Sequence, residues 1–412
     1  MTNNNNIPIG YEQTKLGIIP EDWKLKRLGE LGGFSKGKGI TKAQLVENGF
    51  YAIRYGELYT KHNILIKEFF SFINADTAKS SIQIKNNDIL FAGSGETLNE
   101  IGKCATYIGS DIVYAGGDII ILSPNRDIDS LYLSFSLNSD IVLRQRRKLG
   151  QGHSVVHIYP SGLETLPIPL PPLPEQKAIA KILSTWDKAI NNYQLLIDKY
   201  KLKKKALMQQ LLKPKEDWKV VRLGEIFEIK RGGSPRPINE YITDGEGYNW
   251  IKIGDTQNIN KYIFKTKQKI KKEGLNRTVL VEIDDFILSN SMSFGRPYIM
   301  KTTGCIHDGW LLLRIKSELS IDYMYYFLSS DLIKNIFLSR AAGSAVKNLN
   351  KDIVKLVKIK LPNFKLQTKI ANILSSADKE ISILEQQLSA VKEQKKGLMQ
   401  VLLTGKKRVL VN

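Results

Sequence analysis

Every string whose spacing could build a nucleotide, cofactor or metal site lacks the residue that would complete it. Gly32-Gly33-Phe34-Ser35-Lys36-Gly37-Lys38 fits GxxxxGK, in which backbone amides wrap phosphates and a lysine reaches the outer ones. Gly39, however, stands where a Ser or Thr hydroxyl would hold Mg²⁺. Phe91-Ala92-Gly93-Ser94-Gly95 follows an apolar run in the form of an FxGxG cofactor loop, but the corresponding Phe286-Ile287-Leu288-Ser289-Asn290 has no glycine. No Asn/Asp-Pro-Pro-Tyr/Phe tetrad is present, the element with which an amino-methyltransferase holds its target base. Glu228-Ile229-Lys230 is a nuclease-like ExK triplet without an upstream Pro-Asp partner. His62, His153, His157 and His307 show no HExxH spacing. Cys104 and Cys305 lie one in each half with no CxxC partner, which argues against zinc clusters and disulfide frameworks and fits a reducing cytoplasm. The chain is therefore expected to have no catalytic residues, no metal and no cofactor of its own, and to position chemistry done elsewhere.

What the sequence offers instead is positive charge. Lys and Arg number 61 against 41 Asp and Glu, giving a formal charge of +20 and a pI near 9.6. Polyanions are the usual partners of so basic a chain, nucleic acid first. A membrane surface is the competing partner, but there is no apolar run of the ~20 residues a span needs and no signal peptide. Basic residues recur in glycine loops, where cations neutralise phosphates and small or polar side chains approach base edges. In the first half the candidate DNA-binding residues are Lys36, Lys38, Arg54, Ser94, Lys103, Arg146, Arg147, Gln151, His153 and Ser154. In the second they are Arg231, Arg236, Lys252, Asn290, Arg296, Arg340, Ser344 and Lys347. The stretches Gly150–Ser154 and Ala341–Ala345 are equivalent and are expected near DNA.

The elements that position these loops occur twice. Glu21-Asp22-Trp23-Lys24 and Arg27-Leu28-Gly29-Glu30 return as Glu216-Asp217-Trp218-Lys219 and Arg222-Leu223-Gly224-Glu225. Such a repeat is too long for a solenoid and marks a duplicated domain with pseudo-two-fold symmetry. Between the two openers, short β-branched and aromatic runs punctuated by glycine predict a mixed α+β head. A helix is expected at about Leu131–Leu149, then a stiff connector, Pro167-Ile168-Pro169-Leu170-Pro171-Pro172-Leu173-Pro174.

After Pro174 the period changes to a heptad seam: Ile179, Leu183, Trp186, Ile190, Tyr193 and Ile197. The second copy gives Ile370, Leu374, Ala377, Ile381, Leu384 and Leu388. The seam lapses once in each copy, at Lys204 and Lys395. Uninterrupted helices of ~58 Å are predicted. Because only a few residues separate the first helix from Asp217, the second helix must run back antiparallel to pair with it. The expected organisation is a lead-in at 1–19, read as polar and mobile, a head at 20–172, a first long helix at 173–213, a second head at 214–362, and a second long helix with tail at 363–412. Shared openers with divergent loops, such as Gly93–Asn99 against Ser289–Phe294, predict two different half-sites.

The repeated Glu-Asp-Trp-Lys-x-x-Arg-Leu-Gly-Glu, the connector ending Leu173-Pro174-Glu175-Gln176-Lys177-Ala178-Ile179, and the helix ends Leu207-Met208-Gln209 and Leu398-Met399-Gln400 resemble the specificity subunit of type I restriction-modification systems. The resemblance runs from about Ile19 to Gly405. It implies two target-recognition domains, each reading half of a gapped sequence in double-stranded DNA, joined by two helices that space them and dock two methyltransferase subunits. S-adenosylmethionine, ATP and Mg²⁺ would belong to those subunits and to motor-nuclease subunits. The second connector, Leu361-Pro362-Asn363-Phe364-Lys365-Leu366-Gln367, departs from the family form, so the second helix is expected to begin less sharply and to dock more weakly. Two rivals remain: a restriction enzyme acting alone, and a helical scaffold whose charge serves RNA or acidic proteins.

Overall fold

The computed structural model describes residues 7–152, 155–256, 259, 261–290, 294–341 and 349–410. The chain forms two compact units, one reaching Tyr193 and resuming at Gln387, the other spanning Gln194–Gln386. The division crosses both long helices, Leu173–Leu211 and Phe364–Leu402, so each unit contains one head and part of each helix.

Each head is a pair of five-stranded sheets, and the strand order repeats. In the first unit one sheet runs Gly32–Lys36, Ile119–Pro124, Ile89–Ala92, Cys104–Tyr107, Leu65–Ile66. The other runs Leu45–Val46, Ser71–Ile73, Phe50–Ile53, Val113–Ala115, Ile82–Ile84. The second unit repeats them as Phe227–Arg231, Trp310–Ile315, Phe286–Ser289, Pro297–Met300, Tyr262–Ile263 and as Ile242–Thr243, Gln268–Ile270, Tyr248–Ile251, Gly304–Ile306, Val279–Val281.

Strand alternation explains why the central strands are apolar throughout: both faces are covered. Ile89 and Phe91 pack with Trp23, Tyr132, Phe135 and Ile179, while Leu90 and Ala92 point into the core between the sheets with Ile53 and Val113. In the second head Phe286 and Leu288 join Trp218, Tyr323, Phe327 and Leu374, and Ile287 joins Ile251 and Trp310.

The proline connector is a strand. Pro167–Leu170 pairs antiparallel with Lys24–Arg27, and Lys358–Leu361 pairs with Lys219–Arg222 in the same way. A two-stranded ladder leaves each strand one free edge, which accommodates a proline without N–H. Helix starts are then fixed by twin glutamines. Gln176 Nε2 donates to Pro171 O at 2.9 Å and its Oε1 accepts from Asp129 N at 2.9 Å. Gln367 does the same with Pro362 O and Ser320 N, both at 3.0 Å.

Three expectations are corrected. The second long helix does not begin less sharply: Asn363 Oδ1 caps Leu366 N at 2.9 Å, and both long helices contain 39 residues. An Asn cap supplies the stop that the proline-rich form supplies in the first copy. From Tyr11 onward the lead-in is built into the first unit, since Tyr11–Thr14 and Gly17–Pro20 form a hairpin and Tyr11 Oη donates to Gly405 O at 2.9 Å. The helix expected over Leu131–Leu149 is two, Ser130–Leu137 and Asp140–Arg146, because Asn138 turns its amide to Ser134 O and Cys104 O at 2.9 and 2.8 Å.

Within each unit the long helices run antiparallel. Glu175 meets Arg408 and Asp187 meets Lys395 in the first unit; Lys201 meets Glu385 and Lys204 meets Asp378 in the second. Of the seam residues, Ile179, Leu183, Ile197, Ile370, Leu374, Ile381 and Leu388 are buried, and Trp186, Ile190, Tyr193, Ala377 and Leu384 are half-buried. The architecture is α+β, two similar globular domains joined by two long antiparallel helices, with an internal pseudo-two-fold repeat. No helix among the described residues is long and apolar enough to cross a membrane.

Candidate nucleic-acid interface

The same loop leaves the edge strand Gly32–Lys36 in the first head and its counterpart Phe227–Arg231 in the second. Lys36 and Lys38 in one head, and Arg231 and Arg236 in the other, are exposed. Between the lysines, Gly37 lies against the opposite backbone so closely that a Cβ would stand 2.1 Å from Gly116 O. Gly232, after Arg231, would likewise stand 2.1 Å from His307 O. A glycine is therefore required at both positions, and it seats the neighbouring cations at the rim of the sheet. Gly37 N and Gly232 N donate to Ile119 O and Trp310 O at 2.8 and 2.9 Å.

In the first head the structure brings Ser94 and Gln151 together. Ser94–Gly95 pairs with Val156–His157, His157 also bridges Gln151, and Ser94 Oγ and His157 Nδ1 are hydrogen-bonded at 2.9 Å. Ser94 is buried and Gln151 exposed. His153 and Ser154 in this loop, and Ser344 and Lys347 in the equivalent one, lie outside the described residues.

The basic run Arg144–Lys148 divides by helical phase. Arg144 and Arg147 are exposed, whereas Arg146 is 2% exposed and donates Nη1 to Leu137 O at 3.2 Å. Arg146 thus sits inside the head, where burial lowers its pKa, and is not presented to a phosphate. Lys103 is half-buried and donates Nζ to His62 O at 3.2 Å; burial lowers its pKa as well. The neighbouring Cys104 thiol is pushed up to about 11 by burial. Arg54 is half-buried, with its backbone N–H on Glu57 Oε2.

In the second head the polar candidates gather around Asp308. Arg231 Nε donates to its carbonyl at 3.3 Å, Asn290 Nδ2 to the same oxygen at 2.7 Å, and Ser234 Oγ to its carboxylate at 2.7 Å. The Ser234 hydroxyl, more than any charge, lowers the Asp308 pKa. Asn290 is buried. Arg236, Lys252, Trp250 and His307 line a cleft of about 830 Å³ beside this cluster. Burial lowers the His307 pKa, which keeps the ring neutral, and its Nδ1 accepts from Gly309 N at 2.8 Å. Arg296 is exposed, stacks 5.2 Å from the Tyr298 ring and donates to Ile259 O; Arg340 is exposed near the end of Asp331–Ala341.

Sequence reasoning missed the polar residues that join helices to heads: Gln176, Gln367, Glu175, Arg408, Asp187 and Asp378. The 191-residue spacing that separates Gln176 from Gln367 and Asp187 from Asp378 is the signal that would have found four of them. No group of three or more His, Cys, Asp or Glu side chains placed to hold a metal ion occurs among the described residues.

Comparison with known proteins agrees with this arrangement. A family model described as the type I restriction modification DNA specificity domain matches the chain twice, over residues 20–198 and 215–393. The chain is similar to a putative type I restriction enzyme MjaX specificity subunit of Methanocaldococcus jannaschii, 29% identical over 429 residues, with 97% of each covered. The MjaVIII specificity subunit of the same organism is 27% identical over 95% of this chain and 94% of its own. Among solved structures, a chain of a type I R-M system has a TM-score of 0.64 at 18% identity, covering 94% of this chain and 99% of that one. The S subunit from M. genitalium has a TM-score of 0.55 at 18% identity, covering 100% and 99%, and supports the fold. With the domain model matching well over half of its length, the chain belongs to the family of DNA specificity subunits of type I restriction-modification systems.

Proposed function

We propose that each head reads one half of a bipartite, gapped target in double-stranded DNA. The long helices set the separation of the heads and dock two methyltransferase subunits. The observation that carries this reading is the recurrence of one head scaffold with different rims. The glycines at 37 and 232 hold the same backbone approach, while the polar groups of the loops differ: Ser94 and Gln151 around His157 in one head, Asn290 and Ser234 around Asp308 in the other. A shared scaffold with divergent loops suits two unlike half-sites, because base edges are read by side chains and phosphates by any well-placed cation.

The chain acts as a recognition component without catalysis of its own, in the cytoplasm. S-adenosylmethionine is bound by the methyltransferase partners, and ATP and Mg²⁺ by motor-nuclease partners. The test is a methylome: the chain is co-expressed with its methyltransferase subunit in a methylation-free host and modified adenines are mapped. A gapped, asymmetric motif in which one half changes when residues 20–172 are replaced supports the reading. An unchanged motif after the swap refutes it. Methylation or cleavage by the purified chain alone would favour the self-sufficient enzyme.

A further inference from the structure

We propose that two equivalent ion pairs, Asp187–Lys395 and Lys204–Asp378, lock the register of the long helices and thereby select the gap length of the target. The proposal rests on the bipartite reading above.

Both pairs close at 2.6 Å, each within its own unit. They are images of one another in the repeat, since Asp187 and Asp378 stand 191 residues apart, as do Lys204 and Lys395. Each lysine occupies a seam position where the heptad calls for an apolar residue. Lys395 is 8% exposed, and its Nζ lies 5.0 Å from the ring of Phe135. Lys204 Nζ lies 5.4 Å from the ring of Tyr326, whose hydroxyl donates to Asp378 Oδ2 at 2.6 Å. Phe135 and Tyr326 belong to equivalent head helices, Ser130–Leu137 and Ile321–Leu328. Each lysine thus joins its own helix, the facing helix and the head.

A seam of Ile and Leu alone is degenerate, because a slip of one heptad matches apolar residues again. The lysines remove that degeneracy. In one direction of slip, Lys395 would face Ala180 and Lys204 would face Ala371, leaving the buried Lys395 ammonium and the half-buried Lys204 ammonium uncompensated. In the other, Lys395 would face Gln194, and Lys204 would face Glu385, so Lys395 alone opposes it. A heptad slip moves the helices by about 10 Å, equivalent to about three base pairs of duplex. Ion pairs of this kind specify arrangement more than they stabilise, and replacing both partners with apolar residues is often neutral for stability.

The test uses the full chain with its methyltransferase subunit and a plasmid library of the target whose spacer varies one base pair at a time. Methylated adenines are sequenced for each spacer. Wild type is expected to modify one spacer length. The variant carrying D187M, K395M, K204M and D378M is expected to keep its thermal transition but lose at least tenfold in selectivity between spacers. K395D alone is expected to lose selectivity, and D187K added to it to restore the wild-type spacer. That rescue decides the matter if the fourfold variant fails to assemble. Unchanged selectivity in the fourfold variant, or the absence of rescue, overturns the lock while leaving bipartite reading intact. A wild type with no gapped motif overturns both.

Discussion

Trp23 Nε1 donates to Glu175 Oε2 at 3.1 Å, and its counterpart Trp218, equally buried, has no acceptor for its indole N–H among the described residues. The difference follows from one substitution in the repeat: Leu366 stands where Glu175 does. In the first unit, Glu175 also receives Arg408 Nε and Nη2 at 2.9 and 2.8 Å and Val409 N at 3.1 Å, and Arg408 forks onto Asp22 at 2.8 and 2.7 Å. The carboxylates hold the Arg408 guanidinium charged. The tail after the second helix is thereby fastened to the opener of the first head.

Glu175→Leu removes the acceptor from the buried Trp23 indole and from the half-buried Val409 N–H, and leaves Arg408 with Asp22 alone. The expected loss is about 2–4 kcal/mol in the unit holding residues 387–410, since orphaning a buried donor costs more than the bond contributes. Urea unfolding followed by Trp fluorescence measures it. Leu366→Glu in the second unit is expected to bring no gain, because the position equivalent to Arg408 is Asp217.

The glutamine brackets predict equal penalties in both units. Gln176→Ala strips a partner from Asp129 N and Pro171 O, and Gln367→Ala strips one from Ser320 N and Pro362 O. Each is expected to cost about 1–3 kcal/mol and to speed amide exchange in the first turn of the affected long helix only. Exchange spreading through both helices from a single variant would contradict independent brackets.

Much of this architecture is legible in the sequence because duplication writes each element twice. The seam from Ile179 and its copy from Ile370 give both long helices, and the lapses at Lys204 and Lys395 mark the two polar junctions. The sandwich is not legible, since strands such as Leu65–Ile66 and Leu45–Val46 are too short to show a period. Partners far apart in sequence are equally hidden: nothing near Arg408 indicates that it meets Glu175. Arg146 shows why the basic run misled. Among consecutive cations on a helix, phase alone decides which one turns inward.

His62 makes the first head sensitive to acid. It is 6% exposed, and burial, aided by Lys103, lowers its pKa to about 4. The folded state therefore favours the neutral ring. Between pH 6.5 and 4 the unfolded chain binds the proton and the folded chain does not, so this contribution is complete above pH 6.5 and is lost as the pH falls towards 4. The amount is about 3 kcal/mol. His62→Phe, which keeps a ring beside Phe70, is expected to flatten that part of the stability-versus-pH curve relative to wild type. Parallel curves for the two proteins would assign the acid sensitivity elsewhere.

Lys36 and Lys38, which flank Gly37, and Arg231 and Arg236, which stand on either side of Gly232, are exposed, and a phosphate contact has a signature distinct from base reading. Removing a phosphate contact weakens binding to all sequences alike and lowers the salt dependence, by ~0.9 in log–log slope per contact on duplex DNA. Removing a base contact changes which sequence is preferred. Lys36→Ala with Lys38→Ala, and Arg231→Ala with Arg236→Ala, are each expected to reduce the slope by about 1–2 and to leave both half-sites of the methylated motif unchanged. Fluorescence anisotropy over a salt series measures the slope, and the methylome reports the motif. A changed base in one half-site, with the slope unaltered, would instead make that pair of side chains the reader of that half.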